Sequence, residues 1–411
     1  MRTNPFKPGS PVPIGMFAGR IEELKELEAG LSQARAGEVV NYLLTGDRGI
    51  GKSSLLLFLA AVARGTIRGL GNENFKFCVV NVQVSDRIGL SAFIKTLSAA
   101  IRREAGKTEV VRNFLTQAWD FAQRVKIMDS GVDRAEREYE EELVVNEFAL
   151  SLSSTVQRLT RPGQGEERFD GLVIVIDEAD NACPDLRLGY FLKTLTEELQ
   201  KLGCDHVAFV VAGLTDVVEK LRQSHESSVR IFHPLPLHEL GDEDRKYVID
   251  RGLAHANEIN VEKIGISEAA RNEIALLSEG YPHFIQQFAF SAFREARGAQ
   301  IEFDDVINST YAPNGAIETI GLKYYQSDFY NKIKSDEYRQ VLKIMAARGN
   351  DWIRKSEIRA EFHGGDTKLT NALQALTSRR IILKDPTKDG IYRLQQRGFA
   401  LWIQHFGDGR R

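Results

Sequence analysis

The sequence predicts an α/β fold: a parallel sheet with helices on both sides, followed by a helical segment and a basic terminal domain of short helices and a strand hairpin. Three observations predict it. Four short runs rich in β-branched and apolar residues, Val39–Thr45, Phe75–Val84, Leu172–Ile176 and His206–Ala212, read as strands buried on both faces and alternate with helical patterns. Beyond Leu237 the pattern turns wholly helical to about Gly298. From about Ser335, short helices give way to two strand-like pieces, Arg380–Lys384 and Gly390–Leu394, around a turn at Asp385–Asp389. A chain of 411 residues is long enough for two or three domains.

The first strand runs into Gly46-Asp47-Arg48-Gly49-Ile50-Gly51-Lys52-Ser53, a full match to G-x-x-x-x-G-K-[ST]. Glycines at Gly46, Gly49 and Gly51 let the backbone curl so that several N–H groups point at a β-phosphate. Lys52 adds a point charge for the β- and γ-phosphates, and Ser53 supplies an oxygen to Mg²⁺. With Arg48 and Ser54, these residues form the expected ATP-binding set, and a helix Ser53–Arg64 follows as the motif requires.

The second strand is followed by about 90 residues before the third, more than one crossover helix requires. Ser91–Ala105 and Val110–Val125 read as helices, and the charged run Asp133–Phe148, with Arg134, Glu136, Glu138, Glu140, Glu141 and Glu142, as a solvated helix face. Arg161–Arg168, with Pro162, Gly163 and Gly165, reads as a mobile loop. The third strand then ends in Asp177-Glu178, two carboxylates at the sheet edge where ligands bind. Asp177 is placed to hold Mg²⁺ and Glu178 to orient and deprotonate the attacking water, a residue that separates hydrolysing ATPases from most kinases.

After the fourth strand, Ala212-Gly213-Leu214-Thr215 offers Thr215 either to the γ-phosphate and lytic water or as a cap for the next helix. The run Arg230–Leu237 completes a five-stranded sheet. Arg230 at its start is either an arginine finger reaching a neighbouring subunit's ATP or a surface arginine in a local salt bridge. Further on, Gly280-Tyr281-Pro282-His283 opens a helix; Pro282 suits its first position, and His283 either senses phosphates or is structural. In the terminal domain Asp366 is placed to cap the helix Thr367–Arg379, whose Leu369, Ala372, Leu373 and Leu376 share one face. Lys368, Thr370, Asn371 and Gln374 lie off that face, while Lys384, Lys388 and Arg393 decorate the hairpin, a surface able to meet the phosphates of double-stranded DNA.

In this order the motifs resemble the AAA+ and STAND-like ATPases of the archaeal origin-recognition initiator group. The resemblance spans about Met16 to Phe290 and rests on Phe17-Ala18-Gly19-Arg20 with Glu22 and Glu23, Gly46–Ser54, Ile176–Asp180, Ala212-Gly213-Leu214, Arg230 before Pro234-Leu235, and Gly280-Tyr281-Pro282. It implies a P-loop NTPase sheet of AAA+ type with a helical lid and a C-terminal winged-helix domain. It also implies that the segment around Arg20 lies near the adenine and that the lid, with Pro282 and His283, closes over the nucleotide. His283 stands where a sensor arginine is usual, and the stretch from Ser85 to Arg168 is longer than usual. The expected division is a core over 1–237 with a helical insertion at about 85–168, a lid and linker over 238–322, and a winged helix over 323–411.

Composition narrows the class. With 43% hydrophobic and 27% charged residues the chain is globular, and its longest apolar run, Leu55–Ala63, is too short to span a membrane. The N-terminus lacks the apolar core of a signal peptide, and Cys78, Cys183 and Cys204 form no disulfide or zinc spacing, so a reducing cytoplasm is expected. A net charge of -3 hides about 18 Lys and Arg against about 10 Asp and Glu beyond residue 322, a basic tail on an acidic body. The expected function is an ATP-hydrolysing regulator, slow and assembly-dependent, whose nucleotide state, with Mg²⁺, controls homo-oligomerisation and binding to double-stranded DNA. The alternative is a signalling or defence switch acting on a separate effector protein, with the winged helix as a docking or autoinhibitory module. A metabolic kinase is disfavoured by Glu178.

Overall fold

The computed structural model describes residues 2–12, 17–106, 109–120, 134–165, 167–326, 329–330, 333, 335–379, 381–385 and 387–407, without the side chains of 109–111 and 134–140. The chain forms two compact units, Pro13–His238 and Met1–Val12 with Glu239–Arg411.

The first unit is a five-stranded sheet in the order β2-β3-β4-β1-β5, with β1 Val40–Thr45, β2 Phe77–Gln83, β3 Gly171–Asp177, β4 Val207–Gly213 and β5 His233–Pro236. All pairings are parallel. β3 and β4 are buried along nearly their whole length, as strands covered by helices on both faces must be. The fifth run is shorter than its sequence suggests. Pro234 and Pro236 cannot donate to a ladder, which restricts the segment to a sheet edge, and Ser228–Ile231, including Arg230, turns instead as a 3₁₀ helix.

Between β2 and β3 lie the helices Leu90–Ala105, Glu109–Ala118 and Arg134–Thr160. They are an integral layer of the core. Phe93 meets Phe191 edge-on at 5.8 Å, Phe148 meets Phe191 at 5.6 Å and Trp119 at 5.0 Å, and the Trp119 indole donates to Thr155 Oγ1 at 2.9 Å. One part of the charged run departs from the expected solvated face: Glu141 is 3% exposed and accepts from Arg187 Nη1 at 2.6 Å. A carboxylate enters a core only with such a partner, and the partner lies 46 residues away in sequence. Glu142 is exposed, while Asp133 and Phe121–Val125 fall outside the described residues. Residues 161–165 and 167–170 are irregular, as Pro162, Gly163 and Gly165 suggest.

The second unit begins with an unexpected partner. The N-terminal residues, which sequence grouped with the sheet, pack on the helix Asp242–Ile259: Phe6 is 1% exposed and fills the space beside Gly252, and Asn4 Nδ2 donates to the Phe290 carbonyl at 2.9 Å. The helices Glu268–Leu277, Pro282–Glu295 and Phe303–Tyr311 follow. The wholly helical expectation is broken by a small parallel pair, β6 Gly265–Ile266 with β7 Gln300–Ile301. After the helix Ala316–Ile320 and the π-helical Gly321–Tyr325 come helix Asp336–Ala347, β8 Ile353–Arg354, helix Lys355–Glu361, helix Asp366–Ser378, β9 Ile382–Lys384, β10 Ile391–Leu394 and a closing helix Arg397–Phe406. The three strands form one antiparallel sheet, β8-β10-β9. Asp366 does not cap its helix: Gly365 is the N-cap, and the Asp366 carboxylate accepts from Arg359. Arg380 and Pro386 lie outside the described residues. No helix among the described residues is long and apolar enough to cross a membrane.

Candidate nucleotide site

The loop after β1 is shaped by its glycines. Gly49 and Gly51 have φ of +82° and +100°, values that a residue with a Cβ reaches only with strain. At Gly46 a Cβ would stand 2.9 Å from Ile50 Cγ2 and 3.1 Å from the Leu237 carbonyl oxygen, so only glycine fits. The helix Lys52–Ala63 starts immediately after, its N-terminal N–H groups and dipole facing the loop. Lys52 Nζ donates to the carbonyls of Gly46 at 2.7 Å and Asp47 at 3.0 Å. Burial pulls its pKa down, opposed by Asp180, Asp177 and Asp47.

The two halves predicted from sequence meet here. Ser53 Oγ donates to Asp177 Oδ2 at 2.9 Å, joining residues 124 apart in sequence. The other Asp177 oxygen accepts the Glu178 N–H at 2.8 Å. Glu178 is exposed and sits at φ +56°, a left-handed conformation costing a residue with a Cβ about 1–2 kcal/mol. Such strain is characteristic of residues held for chemistry. A short oxygen set on Ser53 and Asp177, beside a lysine, left-handed glycines and a helix N-terminus, suits a divalent cation and a phosphate chain.

Two neighbours escaped the sequence reading. Asn181 Nδ2 donates to Glu178 Oε2 at 3.3 Å and to the Val84 carbonyl at 3.2 Å. Asp180 Oδ1 accepts the Leu214 N–H at 2.9 Å, fastening the acidic turn to the loop after β4, and its carbonyl accepts from Lys220. The only sequence signal was their place in Asp177-Glu178-Ala179-Asp180-Asn181, one turn beyond the strand.

The other candidates divide. Thr215 is half-buried on the loop tied to Asp180; the cap position of the following helix belongs to Asp216. Arg230 is exposed, and among the described residues its guanidinium has no ion pair. Arg48 is exposed and Ser54 half-buried. Arg20 is 9% exposed, with Nη2 donating to the Ile50 carbonyl at 3.0 Å and Nη1 to Glu23 at 3.3 Å, so it braces the phosphate loop from behind.

In the second unit, Pro282 occupies the first turn of its helix. His283 packs its ring on Tyr324 at 4.9 Å, and its Nε2 is buried without a hydrogen-bond partner. Burial and then Lys323 push its pKa down to about 4. Its ring is therefore uncharged at pH 7. In the terminal domain Lys368 pairs with Glu337 at 2.8 Å, Lys384 pairs with Asp389 at 2.8 Å, and Thr370 Oγ1 accepts from Lys355 at 2.8 Å. Asn371, Gln374 and Lys388 are exposed. Arg393 is not on the exposed decoration of the hairpin: its guanidinium lies over Trp352 at 5.0 Å, with Nε buried and unpartnered, in the wall of a cavity.

A parallel α/β sheet with this loop and this acidic strand end defines a P-loop nucleotide-binding protein. Residues 16–226 match the AAA ATPase domain, and the chain belongs to that family. Searched against curated proteins, the sequence finds no match. Among solved structures it is similar to the ORC2 protein of Aeropyrum pernix, in its ADPNP-ADP complexes, with 16% identity and a TM-score of 0.54 over 95% of this chain and 92% of that chain. It also matches the ADP form of that protein (14% identity, TM-score 0.48, 98% and 96% covered) and the ORC1 protein of the same organism in complex with DNA (17%, 0.43, 95% and 93%). At these identities the likeness is one of fold, and the two lower scores add nothing to it.

Proposed function

We propose that this AAA ATPase hydrolyses ATP and that its nucleotide state controls self-assembly and binding to double-stranded DNA. The observation that carries the reading is the junction of Ser53 with Asp177 beside a strained, exposed Glu178. Ser53 and Asp177 would hold Mg²⁺, which when bound neutralises phosphate charge. Loop N–H groups and Lys52 orient the phosphates. Glu178 takes a proton from a water as its oxygen attacks the γ-phosphorus, and the bond to the bridging oxygen breaks with its electron pair leaving on ADP. Asn181 aims the Glu178 carboxylate, and Thr215 serves the γ-phosphate side. Arg230, free of an ion pair among the described residues, suits a finger that completes a neighbouring subunit's site.

The DNA half of the reading rests on the exposed polar side of Asp366–Ser378, with Lys368, Thr370, Asn371 and Gln374, and on Lys384 and Lys388 of the hairpin, in a winged-helix arrangement. The surface ion pairs of Lys368 and Lys384 are weak enough to be exchanged for phosphates. One observation favours the second reading, a switch acting on a partner protein: Arg393 is half-buried over Trp352 at the wall of a cavity. The test is duplex affinity of Glu178→Gln with and without Mg-ATP across a salt series. Tight, ATP-dependent, salt-sensitive binding is expected; no binding in either state moves the assignment to the protein switch.

A further inference from the structure

The second unit holds a cavity of about 660 Å³ whose wall includes Glu279, Tyr281 and Asn350 together with Arg393 and Arg397. The nucleotide chemistry uses none of them. Glu279 is the unusual residue here: it has φ +49°, a conformation disfavoured for any residue with a Cβ. The turn that carries it is closely packed, and a Cβ on the following Gly280 would lie 2.5 Å from the Leu240 carbonyl oxygen.

The Glu279 carboxylate accepts the backbone N–H of Arg397, 118 residues away, and the Asn350 side-chain amide at 3.1 Å. Against the burial that opposes the charged carboxylate, the Gly398 N–H adds to the pull that favours it. Arg397 and Gly398 open the closing helix Arg397–Phe406, whose own N-cap, Gln396, makes no side-chain capping bond. Glu279 therefore supplies, from the turn before Pro282, the cap that the terminal helix lacks. Arg393, on the neighbouring strand β10, is held over Trp352 in the same wall with its Nε unpartnered.

We propose that Glu279 is a latch: it fastens the terminal helix and hairpin to the Ser278–Pro282 turn, and so withholds Arg393 and Arg397 from a polyanion. The second half rests on the duplex-DNA reading above; the first does not. With the latch open, both arginines join Lys384 and Lys388 at the DNA surface.

The test uses full-length Glu279→Ala and Glu279→Asn against Glu239→Ala. Asparagine tolerates the left-handed turn but is too short to reach Arg397, so it covers the case in which the alanine variant fails to fold. Glu239 is a carboxylate in the same wall, bonded to the Tyr281 hydroxyl at 3.2 Å, and its removal matches the change in charge. Amide hydrogen exchange at residues 397–399 is expected to speed up at least about tenfold in both Glu279 variants and to stay unchanged in Glu239→Ala. In a duplex-DNA salt series, the Glu279 variants are expected to gain about two phosphate contacts, steepening the log–log slope by about 2, while Glu239→Ala keeps the wild-type slope. Unchanged exchange overturns the latch. Faster exchange with an unchanged slope overturns the withholding of the arginines. If no protein, wild type included, binds duplex at any salt, the DNA reading falls and takes the withholding with it, while exchange still decides the latch.

Discussion

At the phosphate loop, charge is held open for a ligand: Lys52 rests on two loop carbonyls, and Asp177 and Ser53 face each other beside an exposed Glu178. In the terminal domain, three of the candidate cations are already engaged within the chain. Lys368 is on Glu337, Lys384 on Asp389, and Arg393 lies over Trp352 at the wall of a cavity. The difference shows what kind of function each region can be assigned. Backbone geometry and strain commit the first to chemistry, whereas the second presents contacts that a partner must win from existing ones.

The widest contrast comes from breaking the first region. Lys52→Ala is expected to reduce ATP affinity by at least about a hundredfold in calorimetry, since a charge-assisted phosphate contact disappears from a half-buried site. Glu178→Gln should keep that affinity and lose about 10²–10⁴-fold in turnover, measured as phosphate release. Equal turnover by Glu178→Gln and wild type would remove the catalytic assignment. A matching substitution in the terminal domain has no such effect on turnover, because nothing there is held for the reaction.

Next in size is a test of the helices between β2 and β3. Phe148→Ala should cost about 3–5 kcal/mol in thermal or denaturant unfolding, because Phe148 is fully buried between Trp119 and Phe191. A cost below about 1 kcal/mol would mean that these helices are an appendage and not part of the core.

How much of this was legible in sequence follows from the range of the interactions. The four long strands and the phosphate loop were readable because β-branched runs, glycine spacing and a following helix are local signals. The Asp177-Glu178 pair was readable because a strand end and its carboxylates are adjacent in the chain. What escaped was set by distant partners. Glu141 looked like one more solvated acid until Arg187 met it, and Arg393 looked like a wing cation until the fold turned it toward Trp352. Arg20 was set near the nucleotide by the family resemblance, and its bonds to the Ile50 carbonyl and Glu23, which hold it behind the loop, were not visible in sequence. The proline-rich edge strand lay between these cases: Pro234 and Pro236 were visible, and their effect on strand length was underestimated.

A smaller effect probes charge held internally. His283 has its pKa pushed down to about 4 from 6.5, chiefly by burial. The unfolded chain therefore binds a proton that the folded one refuses between those values. The folded state has its full relative stability above about pH 6.5 and loses it as pH falls toward 4, by up to about 3 kcal/mol. His283→Phe keeps the ring packing on Tyr324 and should flatten this part of the stability profile. An unchanged profile would assign the acid sensitivity to other groups.

The smallest effect sharpens the comparison most finely, because it asks whether surface cations already paired within the chain are still available to a phosphate. Asp389 is exposed at the hairpin turn and bonds Lys384 at 2.8 Å. Asp389→Asn leaves the lysine charged and unpaired. If the hairpin meets DNA, releasing Lys384 should tighten duplex binding by less than about fivefold, since an exposed pair is worth little and is screened by salt. The gain should fade as salt rises, and Lys384→Ala should cancel it when combined with Asp389→Asn, leaving only the lysine's own loss. If Asp389→Asn tightens binding equally with and without Lys384, the effect is the removal of a negative charge and not the release of this cation, and the hairpin tip is then no part of the contact surface.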